Sequence, residues 1–268
     1  MRRSAATLAM VAGLILLAPQ GASGEPEEVT LKARDGFELI ATYIPPAKEH
    51  AAGVILMHMY CGKRQDWEPL LAGLKEAGYA VLAFDFRGHG QSKAGGKVDI
   101  EKLSDKKAEA LCAGLALDAA AAAAFLDGRP EVDASRLALI GGSVGANVCL
   151  NHAVRNPAVK AIVLLSPGLD YLGIESKSAM KACANRPIFM LASRPDVDSV
   201  KCVETLADVA KGKKNIESRI FDSKLQLGPN GPVLPHGTDL MTAEPETVPA
   251  VLQWLETTLP PIAEEAGK

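Results

Sequence analysis

From residue 29 onward, short uninterrupted apolar runs alternate with longer segments of mixed polarity. The short runs suit strands buried on both faces, and the longer segments carry a helical spacing. Val29 to Ala33 and Phe37 to Ile44 flank Asp35-Gly36, which predicts an antiparallel hairpin ended by Pro45-Pro46. Further strands are expected at Gly53 to His58, Tyr79 to Phe84, Leu137 to Ile140, Ala161 to Leu165, Ile188 to Ala192 and Ile216 to Phe221. Helices are expected at Trp67 to Ala77, closed by Gly78, and at the alanine-rich stretch Ala108 to Leu126. Others fall between Ser143 and about Arg155, from about Val200 to Lys211, and from about Glu246 to Thr258 before Pro260-Pro261. Val98 to Lys107 is charged and takes no clear assignment, and a long loop precedes His236. Alternating strands and helices predict a mostly parallel sheet covered on both faces. No internal repeat or linker divides it, so residues 25–268 read as a single α/β domain.

The N-terminal pattern is different. Met1-Arg2-Arg3 precedes an apolar run of 14 residues, Ala5 to Ala18, followed by Ala22-Ser23-Gly24. A charged start, a short apolar core and a small-residue cleavage site are the layout of a secretory signal peptide over residues 1–24. The core is shorter than the roughly 20 residues that cross a bilayer. Cleavage near Gly24/Glu25 would release a secreted or periplasmic chain. Nothing after the leader reads as a membrane span.

Charge and cysteine content narrow the partners. The chain has 29 basic residues; without Arg2 and Arg3 there are 27, against 32 acidic ones, a formal charge of −5. That balance argues against nucleic acid or an anionic membrane surface. The five cysteines, Cys61, Cys112, Cys149, Cys183 and Cys202, leave at least one thiol unpaired, and spacing alone does not select a disulfide pattern. They form no CxxC pair and no His/Cys cluster, so no metal site is expected.

The candidate chemistry centres on Gly141-Gly142-Ser143-Val144-Gly145. A buried strand leads into it and a helix leads out, which is the setting in which G-x-S-x-G forms a nucleophile elbow. Ser143 is then the nucleophile, held in a strained turn whose neighbours must be small. A serine hydroxyl needs a histidine base oriented by a carboxylate. Only His152 and His236 follow Ser143. His152 lies nine residues along the nucleophile helix, so His236, in the loop after the last strand, is the expected base. Asp196, just past the strand ending at Ala192, is the expected acid; Asp170 competes for that role and Asp198 competes more weakly. An oxyanion requires two backbone N–H donors. Val144 would supply one, and Tyr60, or failing it Met59, the other. His58 is expected to brace that loop rather than act as the base, and the Arg and His of Asp85 to Ser92 to hold a turn.

These motifs, taken in order, resemble the α/β-hydrolase superfamily over nearly the whole mature chain. The segments that carry the resemblance are His58 to Gly62, Asp85 to Ser92, Gly141 to Gly145, Asp196 and His236-Gly237. The layout is similar to compact dienelactone-hydrolase-like and carboxylesterase-like members. The resemblance implies a three-layer fold, no metal or organic cofactor, and hydrolysis of small acyl substrates: esters, thioesters, lactones or sometimes amides. Three positions depart from the pattern. Met59 stands where a glycine is usual, Ser193 and Pro195 precede the acid, and Leu225 to Pro235 is long and apolar enough to roof a pocket. About twenty residues separate Leu165 from Ile188, too few for a large cap. The competing readings are a silent ligand- or partner-binding relative, a peptidase of the same fold, and a redox role for Cys61.

Overall fold

The computed structural model describes residues 24–222, 226–228 and 231–263. The leader read at residues 1–24 therefore lies, apart from Gly24, outside the described residues. The described residues open with an antiparallel hairpin, β1 (Glu27–Lys32) and β2 (Glu38–Ile44), paired from Glu27↔Tyr43 to Lys32↔Glu38. Next come β3 (Ala51–Met57), α1 (Glu68–Ala77), β4 (Ala80–Phe84), α2 (Asp105–Cys112), α3 (Leu115–Asp127), β5 (Val132–Gly142) and α4 (Val144–Arg155). The second half holds β6 (Val159–Leu165), the small hairpin β7 (Asp170–Tyr171) and β8 (Ile174–Glu175), α5 (Lys177–Cys183), β9 (Ile188–Ser193), α6 (Val197–Val209) and β10 (Ile216–Phe221). It ends with β11 (Gln226–Gly228), β12 (Gly231–Val233), α7 (Leu240–Ala243) and α8 (Thr247–Thr258).

Eight strands form one sheet in the order β1-β2-β4-β3-β5-β6-β9-β10. β1 and β2 are antiparallel, and all pairs from β4 to β10 are parallel. Alternate residues of each strand feed opposite faces. Ile55 and Met57 of β3 join Leu115, Ala119, Val148, Met180 and Leu206 on the side of α2 to α6. Val54 and Leu56 join Leu70, Leu74, Val251 and Leu255 on the side of α1 and α8. The product is a helix–sheet–helix sandwich, as the alternation in sequence predicts.

Three expectations change. The helix expected over Ala108 to Leu126 is two helices, broken at Ala113-Gly114. The buried Arg87 guanidinium lies against Gly114, in the space a β-carbon there would occupy, on its way to Asp118 of α3. The stretch Asp105–Asp127 also meets the length and hydropathy of a membrane span, with a mean hydropathy of 1.6, contrary to the sequence reading. In the fold it carries that break, and it buries Leu115, Ala119, Ala122 and Leu126 in the core. Within the long segment before His236, expected as a loop, β11 and β12 pair antiparallel, Gln226↔Val233 to Gly228↔Gly231.

Candidate active site

β5 runs straight into α4 with Ser143 at the corner, at φ 53° and ψ −118°. A non-glycine residue there stores roughly 1–3 kcal/mol of backbone strain. The flanking glycines explain how the corner closes. A β-carbon on Gly141 would strike the backbone of Gly145, and one on Gly145 would strike the Met57 and His58 carbonyls at the end of β3. Ser143 donates its own N–H to the Leu165 carbonyl at 2.8 Å, which ties the corner to β6.

Three expected residues converge on this corner. The Ser143 hydroxyl lies 2.8 Å from His236 Nε2, and His236 Nδ1 lies 2.6 Å from Asp196 Oδ2. Asp196 caps the N-terminus of α6 and accepts the Ser199 N–H at 3.3 Å. Burial would raise its pKa, but the hydrogen bonds from His236 and Ser199 outweigh that and hold the carboxyl below its ordinary value. The helix N-terminus favours the same charged form. Asp170, the competing acid, instead accepts the Gly173 N–H within the β7–β8 turn, and Asp198 is exposed on α6. His152 is bonded to Asn156 on α4.

The expected oxyanion donors lie at the ends of two elements. Val144 begins α4, and Tyr60 sits in a turn closed by Gly62 N–H to the Met59 carbonyl at 3.0 Å. Neither Tyr60 N–H nor Val144 N–H has an acceptor among the described residues. Met59, the bulky departure, is accommodated by Gly237. That residue has φ 56°, and a β-carbon on it would meet Met59 Sδ at 2.9 Å and Ser143 Cβ at 3.4 Å. His58 braces this loop as expected. It accepts the Phe86 N–H at Nε2, 3.0 Å away, and donates from Nδ1 to the Met59 carbonyl at 2.7 Å. Burial, reinforced by the neighbouring His89, lowers its pKa to about 3 and leaves it neutral.

The Asp85 to Ser92 loop is likewise structural. Arg64 pairs with buried Asp85, Arg87 pairs with buried Asp118 at 2.7 Å and with Asp35 at 2.7 Å, and His89 Nδ1 meets the Arg87 carbonyl at 2.9 Å. All five cysteines are free thiols.

Two residues at the site escaped the sequence reading. Ser199 Oγ stands 3.4 Å from His236 Nδ1. Tyr171, on β7, packs its ring edge-on to His236 with centroids 6.2 Å apart and planes at 90°. Asp170-Tyr171 carried a signal only as a candidate acid, so its aromatic neighbour drew no notice.

A sheet of this order, with a serine at the strand–helix corner and histidine and aspartate arriving from later loops, defines an α/β hydrolase. The chain belongs to the serine aminopeptidase S33 family, whose family model matches residues 48–194. An uncharacterized protein of Mycobacterium tuberculosis is 33% identical over 145 residues, covering 52% of this chain and 45% of the relative. The uncharacterized protein YfhR of Escherichia coli K12 is 29% identical over 213 residues, covering 71% and 70%. The chain thus spans about half the length of the mycobacterial relative it matches. Among solved structures, the Pyrococcus furiosus esterase Pf2001 has a TM-score of 0.67 at 20% identity, covering 88% of this chain and 93% of that one. The dienelactone hydrolase of Anabaena variabilis has a TM-score of 0.63 at 18% identity, covering 88% and 100%. At such identities the likeness is one of fold.

Proposed function

We propose that this hydrolase cleaves a carboxylic ester, or a thioester or lactone, through Ser143, His236 and Asp196 with an acyl-enzyme intermediate. The observation that carries the reading is the chain of two short contacts, 2.8 Å and 2.6 Å, running from the strained serine through His236 to a carboxylate. In the first step His236 Nε2 takes the Ser143 proton as the oxygen attacks the acyl carbonyl. Asp196 holds the imidazole through Nδ1 and balances its charge, and the Val144 and Tyr60 N–H groups receive the oxyanion. His236 then protonates the leaving alcohol. In the second step the same histidine activates water, and the acid leaves.

The family description favours a second reading, an aminopeptidase using the same residues. Ester cleavage is preferred because, among the described residues, no element reads as a cradle for an extended peptide. The leader pattern supports export of the mature chain to the periplasm or beyond.

Intact-mass measurement of the exported protein with a fluorophosphonate tests the core of this reading. One phosphonyl adduct is expected, absent in Ser143→Ala and strongly slowed in His236→Ala. Folded wild-type protein that takes no adduct would overturn the hydrolase reading in favour of a binding protein. The same spectrum reads the mature N-terminus. Parallel panels of p-nitrophenyl esters and aminoacyl naphthylamides separate the two substrate classes, and turnover of the amides alone would reverse the preference.

A further inference from the structure

The eight-stranded sheet ends at β10, and among the described residues no strand pairs with its outer edge. The Ile188 N–H donates to the Asn215 carbonyl and the Arg194 N–H to the Phe221 carbonyl, each at 2.9 Å. The odd-numbered residues of this strand therefore turn their backbone groups towards β9. Backbone groups alternate along a strand, so Ile216, Ser218 and Ile220 turn theirs outward. Among the described residues those outward N–H and carbonyl groups have no backbone partner. The register with β9 runs unbroken from Ile216↔Ile188 to Phe221↔Ser193. The edge thus has no bulge, and it carries no proline and no lysine, devices that commonly keep an open edge from pairing.

The side chains of this edge are their own charge complement. Glu217, Ser218 and Arg219 are exposed at the centre of Ile216-Glu217-Ser218-Arg219-Ile220. Glu217 and Arg219 lie on the α8 face. Trp254 Nε1 donates to Glu217 Oε1 at 2.8 Å, and Arg219 stands 3.8 Å from Glu246 with its guanidinium over the Phe221 ring. Ile216 and Ile220 lie on the other face, against the core on the side of α2 to α6. Reversed, the segment sets arginine against glutamate and isoleucine against isoleucine.

We propose that β10 is the interface of a homodimer, pairing antiparallel with β10 of a second copy about a two-fold axis at Ser218. The backbone restricts the register. An outward-facing residue can oppose only another outward-facing residue, so the axis must pass beside a residue rather than between two. Axes at Ile216 or Ile220 run off the end of the strand. An axis at Glu217 sets that carboxylate against its own copy, and one at Arg219 sets two guanidiniums together; like charges directly opposite are destabilising. An axis at Ser218 sets Glu217 of each copy opposite Arg219 of the other, in the non-hydrogen-bonded position where side chains come closest. Ser218 then exchanges N–H···O=C bonds with its counterpart, and Ile216 exchanges them with Ile220 of the second copy. Symmetry makes every such contact twice. The two eight-stranded sheets become one continuous sheet. An association through a single strand edge belongs to the small, reversible class of interface.

Sedimentation velocity of the exported protein across the micromolar range is expected to show a reversible monomer–dimer equilibrium. Ser218→Pro removes an outward N–H and no bond to β9, so the strand stays in its sheet while the pairing is blocked. That variant is expected to be monomeric with an unchanged near-UV circular dichroism spectrum. Glu217→Arg and Arg219→Glu each set like charges opposite one another and are expected to raise Kd at least about tenfold, and the double exchange to restore it. Wild type that stays monomeric throughout overturns the interface. A dimer that persists in Ser218→Pro overturns it too, by placing the contact elsewhere. Single reversals without effect, or without recovery in the double exchange, overturn the register at Ser218.

Discussion

Asp196 shows how one carboxylate can serve orientation without losing its charge. Two acceptors are used, one by His236 and one by the Ser199 N–H at the first turn of α6. Asp196→Asn keeps the shape but presents an amide to Nδ1, which turns the imidazole to the wrong tautomer. A loss of about 10⁴ in kcat is expected, by analogy with the same change in other serine hydrolases, with unchanged far- and near-UV circular dichroism. Near-wild-type turnover would move the acid elsewhere, and Asp170, tied up in the β7–β8 turn, would be a poor substitute. At this scale the sequence was legible where chemistry has a fixed local frame. Ser143 announces itself by its flanking glycines and His236 by elimination. Asp196 and Asp170 sit after consecutive strands with similar local signals, and only the reach to Nδ1 distinguishes them. Tyr171 and Ser199 gave no signal, because their meaning comes from an imidazole that lies far away along the chain.

Among the elements, the strand–helix order was readable from apolar runs because each run must be buried on both faces. The break between α2 and α3 was not readable. Alanine-rich sequence favours continuous helix, and a single glycine there costs only about 1 kcal/mol. What interrupts the helix is Arg87, which crosses Gly114 to reach Asp118 and Asp35 from a loop 27 residues earlier. Burial pushes the Asp118 carboxyl up, opposed by that guanidinium. The pair also joins the Asp85 to Ser92 loop to α3, and through His58 and Phe86 that loop holds the turn carrying Tyr60. Asp118→Ala would leave a buried guanidinium with only the half-exposed Asp35 as partner. It is expected to cost about 3 kcal/mol in urea unfolding, near the lower bound for breaking a buried pair. A change below about 1 kcal/mol would mean that Arg87 is resolvated by a local rearrangement, and that α2 and α3 do not depend on it.

For the molecule as a whole, the buried histidines make stability depend on pH in a direction that can be worked out. Burial, with His89 close by, holds His58 down to about 3, against the opposing Met59 carbonyl. Burial holds His152 down to about 4 and also lowers His89, the latter against the Arg87 carbonyl and Asp85. In the unfolded chain each takes up its proton near pH 6.5. As pH falls below 6.5 the unfolded state therefore binds protons that the folded state refuses, and stability declines with decreasing pH until the folded values are reached. His58 and His152 each contribute a slope of roughly 1.4 kcal/mol per pH unit, or about 3 kcal/mol per unit for the two once the unfolded chain is fully protonated, and His89 acts in the same direction. Against a total of about 5–15 kcal/mol, a fall of two pH units removes a substantial part of the stability. Below about pH 4 Asp196 adds to the same trend, since its depressed carboxyl is lost as a stabilising group when it protonates. Urea midpoints are thus expected to drop between pH 6.5 and pH 4.5, and His152→Gln to make that drop shallower by roughly 1.4 kcal/mol per pH unit. A flat profile over that range would mean that the three rings are protonated in the folded state. The His58 latch, whose Nε2 must be bare to accept the Phe86 N–H, would then have to be drawn differently.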